Sequence, residues 1–100
     1  MKTIKLNKFG TTLGSKDLGE KVREYILKQL DEHDEIISLS FEKITMISNS
    51  FADECFGKLI INIGVEKFKK SFKVTQLNDK YLKLVINRSV KQRIRKELSK

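Results

Sequence analysis

These 100 residues contain no proline, one cysteine, one histidine and no apolar run longer than three residues. Each scarcity excludes something. Without proline, no segment loses a backbone donor or a helical turn to its ring, which suits a chain dominated by regular elements. Cys55 has no second thiol to pair with, so an internal disulfide is impossible and a tetrahedral zinc site lacks thiolates. His33 stands alone as well, which excludes a histidine-rich metal site and leaves a histidine-based triad without support. Runs of three apolar residues fall far short of the ~20 that a membrane-spanning helix needs. The segment Met1-Lys2-Thr3-Ile4-Lys5-Leu6-Asn7 interleaves lysine with apolar residues and does not read as a secretory signal, so the expected location is the cytoplasm.

What is present is ordinary in amount and uneven in placement. Hydrophobic residues make up 39% and charged residues 34%, the balance of a globular domain. A chain of this length buries roughly two thirds of its unfolded surface, enough for one core without staples. The expectation is one domain, residues 1–100. The net charge is +8, and residues 51–100 carry all of it, with 13 Lys/Arg against 5 Asp/Glu. Such a half is either a solvated face or a surface for nucleic acid, an acidic protein or anionic lipid.

The polar–apolar alternation of Lys2 to Asn7 predicts a half-buried edge strand, and Asn7 to Ser15 with Gly10 and Gly14 a loop. Ser15 is placed to cap a helix to about Leu30, with Leu18, Val22, Tyr25, Ile26 and Leu30 on one stripe. Asp31 to Asp34 reads as a polar break. Glu35 to Phe41, rich in β-branched and apolar residues, suits a central strand covered on both faces. After a connector, Ser50 is placed to cap a helix to about Ile63, with Asp53 at the spacing of a reciprocal cap and Gly64 where a left-handed C-cap belongs. Val65 to Lys70 reads as a short helical turn and Ser71 to Leu77 as a third strand. Asp79 then caps a final helix that turns Leu82, Val85, Ile86, Val90 and Ile94 inward, with a basic tail from Lys91. This alternation of strand and helix implies a parallel or mixed sheet with crossover helices.

The candidate sites each have a plain reading beside the functional one. Ser50 is an N-cap, or an N-cap whose hydroxyl also accepts phosphate at the positive end of a helix; Ser48 and Asn49 widen the same polar patch. Asp53 compensates the helix dipole, and Glu54 is expected to be exposed and able to meet a partner's arginine. Adjacent helix positions point ~100° apart, so the two carboxylates cannot flank one substrate. Cys55 reads as a small buried thiol and His33 as a surface turn residue. Gly10 and Gly14 fit neither a Walker loop nor a dinucleotide fingerprint. The cations Lys83, Lys91, Arg93, Arg95 and Lys96 are either a favourably charged helix end or nucleic-acid contacts.

The strand, connector and serine-started helix of residues 36–57 resemble the STAS domain, the fold shared by anti-sigma-factor antagonists and the cytosolic tails of sulphate transporters. The chain is similar above all to the bacterial STAS-like family of unclear function, whose members show a Ser-Phe-x-Asp-Glu run at this helix start, here Ser50-Phe51-Ala52-Asp53-Glu54. Asn87-Arg88 in the last helix adds weaker support. In the antagonists the segment resembles Asp-Leu-Ser-Gly-Val-x-x-Ile-Asp-Ser-Ser-Gly-Leu, and a kinase-type anti-sigma factor phosphorylates the second serine of the pair. Ile44 matches the valine, Ile47 the isoleucine and Ser50 the phosphorylated serine. Ser40 and Ser48 replace the two aspartates, Asn49 the first serine and Phe51 the glycine.

The resemblance implies a small single-domain α/β STAS-like fold, with a mixed sheet of about three to five strands and about three helices. It also implies a regulatory, non-enzymatic domain that binds a protein through Ser48, Asn49, Ser50, Phe51, Asp53 and Glu54. The implied partner is a histidine-kinase-type ATP-binding protein, which brings its own nucleotide and Mg²⁺, so the chain needs no cofactor or metal. A homodimer through the exposed edge strand is a further expectation. A nucleic-acid-binding accessory domain, using the α-helical cations above, is the competing reading.

Overall fold

The computed structural model describes residues 2–32 and 35–99, so the reading of His33 lies outside the described residues. Two strands of four residues flank a third. Strand β1 (Lys2–Lys5) and strand β5 (Phe72–Thr75) each pair in parallel with β3 (Ile37–Ser40), giving the order β1-β3-β5. The predicted edge and central strands therefore fall where alternation and burial placed them. Every pairing among the described residues is parallel, one of the two arrangements that the strand–helix alternation allowed.

Parallel neighbours need crossovers. Helix α1 (Lys16–Glu32) returns the chain from β1 to β3, starting where the Ser15 hydroxyl accepts the Leu18 N–H at 3.1 Å. It continues through Asp31 and Glu32 rather than stopping at Leu30, although two acidic residues in the last turn oppose the helix dipole. The second crossover is longer. It contains helix α2 (residues 49–63) and helix α3 (Val65–Ser71), which Gly64 separates. Gly64 has φ 87° and ψ 156°, a conformation essentially reserved for glycine, rather than the expected left-handed helical cap. Helix α4 (Lys80–Leu98) follows β5 and is capped by Asp79, whose carboxylate accepts the N–H groups of Tyr81 and Leu82 at 2.8 and 3.1 Å.

A second, two-stranded ladder escaped the sequence reading. Thr12–Leu13 (β2) pairs in parallel with Met46–Ile47 (β4), so the connector before α2 is a built element rather than a loose loop. Thr45 N–H to Thr11 C=O at 2.8 Å and Ser48 N–H to Leu13 C=O at 3.0 Å extend this ladder at both ends.

The core fills one face of the main sheet. Ile4, Ile37 and Leu39 meet Val22 and Ile26 of α1, Phe51, Cys55, Phe56 and Leu59 of α2, and Leu82 and Ile86 of α4. The opposite sheet face is polar. All four β3 residues are buried, but Ser38 and Ser40 lie among Thr3, Lys5, Lys73 and Thr75, which are exposed.

Candidate functional site

Helix α2 begins at Asn49, and its N-cap is Ser48, two residues earlier than the sequence reading placed it. Ser48 Oγ accepts the Phe51 N–H at 3.0 Å and donates to the Gly14 C=O at 3.0 Å. Ser48, Asn49 and Ser50 are all acceptable cap residues by type. The choice among them falls to the β2–β4 ladder, which holds the Ser48 backbone in an extended conformation with φ −83° and ψ 159°. Ser50 consequently sits one residue into the helix. Its side chain is exposed, and its hydroxyl has no hydrogen-bond partner among the described residues. Asn49 is exposed beside it, whereas Phe51 is completely buried and anchors the first turn to the core.

The next turn departs from α geometry. Asp53–Gly57 form a π-type turn, in which the Lys58 N–H reaches back to the Asp53 C=O. Asp53 does not close a reciprocal cap. It accepts the Ser89 hydroxyl of α4 at 2.6 Å and so fastens α2 to α4. Glu54 is not the exposed carboxylate expected: it is 5% exposed and ion-paired within its own chain. Arg23 Nη1 of α1 lies 2.7 Å from one carboxylate oxygen, and Lys58 Nζ lies 2.9 Å from the other. The same Arg23 nitrogen also donates to the Glu54 C=O. Hydrogen bonds from Arg23 first, then Lys58, hold the Glu54 carboxyl below its ordinary range. Cys55 is fully buried as expected, and burial pushes its thiol far above the usual range.

Arg23, Lys58 and Ser89 were not picked out from the sequence. One signal was available. Gly19 and Arg23 lie one turn apart on α1, and an isolated glycine within a helix commonly has a packing reason. Here a Cβ on Gly19 would lie 2.9 Å from the Phe51 carbonyl oxygen and 3.0 Å from the Glu54 Cβ. The glycine lets α1 lie against α2, and Arg23 then reaches the π turn.

Of the six residues expected to meet a partner, Asn49, Ser50 and Asp53 are exposed, Ser48 is half-buried, and Phe51 and Glu54 are buried. The exposed pair Asn49 and Ser50 adjoins an open apolar hollow that Asn49 shares with Tyr81, Leu84, Val85 and Arg88 of α4. Tyr81 is 71% and Leu84 62% exposed, a large apolar display for a helix otherwise carrying lysines.

The cations of the competing reading all lie on α4, but they do not share a face. At ~100° per residue, Lys91 and Arg93 point ~200° apart. Arg93 turns inward against α2, where its Nε would lie 3.6 Å from a Cβ on Gly57, while Lys83, Lys91, Arg95 and Lys96 are exposed. Among the described residues, no helix is long and apolar enough to cross a membrane.

Comparison with known proteins bears on the same region. The family model of a STAS-like domain of unknown function (DUF4325) matches residues 18–82, from the first turn of α1 to the start of α4. No curated protein and no solved structure matches the chain. The match takes in the central strand, the β2-supported connector, the whole of α2 and the edge strand β5, and on that extent the chain belongs to the STAS-like family of unknown function.

Proposed function

We propose that this domain is a non-enzymatic protein-interaction module of the anti-sigma-factor-antagonist type. It docks a histidine-kinase-type ATP-binding protein through the start of α2, and phosphorylation of Ser50 controls that contact. The observation that carries this reading is the uncommitted hydroxyl of Ser50. With Ser48 acting as the cap, Ser50 remains exposed on the first turn of α2, among amides at the positive helix end. A phosphate there adds ~1.5–2 negative charges beside Asn49 and the Tyr81–Leu84 hollow, where an apolar partner surface would land. Binding is thereby weakened by desolvation and by repulsion from acidic groups on the partner. Phe51 and Glu54 support this surface from below and do not touch the partner.

The test is a binding titration of the full chain against a purified histidine-kinase-type ATP-binding protein encoded in its gene neighbourhood. Wild type is expected to bind, with Ser50→Asp weaker by about tenfold or more. Equal binding by both removes the switch, and binding by neither removes the partner class.

A further inference from the structure

We propose that the outer edge of β5 is a second docking site, one that takes an extended acidic segment of a partner protein as an added parallel or antiparallel strand. The proposal does not rest on the role of Ser50, and none of the residues it uses lies at the start of α2.

Strand β5 ends the three-stranded sheet, so among the described residues one side of its backbone has no neighbouring strand. The Phe41 N–H donates to the Thr75 C=O at 3.0 Å, which turns the Thr75 backbone toward β3. Backbone groups alternate along a strand, so Val74 presents its N–H and C=O outward, away from β3. Val74 is also 49% exposed. Edges are usually blunted by shortness, charge, a bulge or a cover, and this four-residue strand carries one lysine. Here the charge is of one sign only. Lys73 lies on the strand and Lys69 on the wall of the cavity beneath it, Lys67 and Lys70 lie on the preceding helix α3, and none of the four has an ion-pair partner among the described residues.

Beneath the edge lies an apolar cavity of about 170 Å³, walled by Phe56, Phe68, Phe72, Val74, Ile86 and Val90. A cavity of ~150 Å³ admits benzene, so this one admits a phenyl ring or a branched aliphatic side chain. Lys69 and Asn87 are the polar groups on its wall. An added strand directs alternate side chains to opposite faces. Those on the Phe72–Val74 face enter the cavity, and those between them lie beside Lys73 on the polar face. The matching segment therefore alternates apolar residues with glutamate or aspartate. A second copy of β5 does not match, since its own lysines would be brought against these four.

The experiment uses the full-length chain and a labelled peptide, acetyl-Glu-Phe-Glu-Val-Glu-amide. Three comparisons accompany it: a peptide of the same composition with its acids in one block, an N-methylated version of the alternating peptide, and the variant Val74→Pro. Proline at this edge position removes the outward amide and also replaces the valine side chain on the cavity wall. The alternating peptide is expected to bind saturably. N-methylation and Val74→Pro should each weaken binding by about tenfold, as loss of main-chain hydrogen bonds predicts. The N-methylated peptide reads the same loss without altering the protein. Ser50→Asp should leave peptide binding unchanged. Absent binding, equal binding of the blocked and alternating peptides, or indifference to both N-methylation and Val74→Pro overturns the proposal. Concentration-dependent dimers abolished by Val74→Pro also overturn it, since the edge would then belong to a second copy.

Discussion

Arg23 holds Glu54 at two places, its guanidinium donating both to the carboxylate at 2.7 Å and to the main-chain carbonyl of the same residue. One side chain thereby neutralises a buried charge and satisfies a carbonyl in the irregular turn of α2. The pairing spans 31 positions of sequence. It ties α1 to the part of α2 where ordinary helical bonding is interrupted, just below the exposed Asn49–Ser50 corner.

This arrangement makes stability sensitive to acid. The Glu54 carboxyl has an ordinary value of 4.5 and is held lower in the folded chain by Arg23 and then Lys58. A carboxylate with a lowered folded value contributes stability above its unfolded value, and that contribution is lost as pH falls through the folded one. Thermal midpoints measured from about pH 6 down to pH 3 should therefore fall more steeply for wild type than for Glu54→Gln. At neutral pH the Glu54→Gln variant should be destabilised by about 1–3 kcal/mol through its weakened bonds to Arg23 and Lys58. Parallel pH profiles for the two proteins would show that the ion pair does not have this role.

Gly19 sets how closely α1 and α2 approach. Alanine would gain roughly 1 kcal/mol in helix propensity at an open position. Here its Cβ would lie 2.9 Å from the backbone oxygen of Phe51, which cannot rotate away. Gly19→Ala is expected to be net destabilising by about 1–3 kcal/mol in chemical denaturation, the usual cost of overpacking. A stabilised variant would mean that the two helices separate freely.

The two serines flanking Asn49 should separate cleanly by mutation. Ser48→Ala removes the hydroxyl that accepts from Phe51 and donates to Gly14, and should cost about 1 kcal/mol. Ser50→Ala touches no such bond and should stay within about 0.5 kcal/mol of wild type. Urea midpoints of the two variants check this, and a reversed order would return the cap to position 50.

Cys55 should be chemically silent in the folded chain. It is fully buried, and loss of solvation pushes its thiol upward, so little thiolate exists at neutral pH. Labelling by an aromatic disulfide reagent is expected to be slower by about a thousandfold or more in buffer than in denaturant, tracking global opening. Rapid labelling of folded protein would reveal a local opening of α2.

Features written in neighbouring residues were legible in the sequence. Ser15 and Asp79 were recognised as caps because a cap bond spans only two or three residues. The helical stripe of α1, the buried β3 and the half-buried β1 followed from spacing alone. Three things were not legible, each for a separate reason. The strands β2 and β4 have two residues apiece, too few for any period to show. Ser48, Asn49 and Ser50 are nearly equivalent as caps, so local chemistry could not choose among them. Glu54 looked solvated because its partner, Arg23, lies on another helix.

The one-dimensional order of polar and apolar residues was thus sufficient to determine an α/β domain of strands joined by crossover helices, since short-range periodicity decides which faces must leave water, and the folded chain then chose a parallel sheet over a mixed one. Which serine caps α2, which acid is buried, and that β5 lies at the second edge of the sheet were decided only by the folded chain. Each depends on contacts between residues far apart in sequence: the β2–β4 ladder that fixes Ser48, the close approach at Gly19 that brings Arg23 to Glu54, and the strand order that puts β5 at the outer edge beside β3.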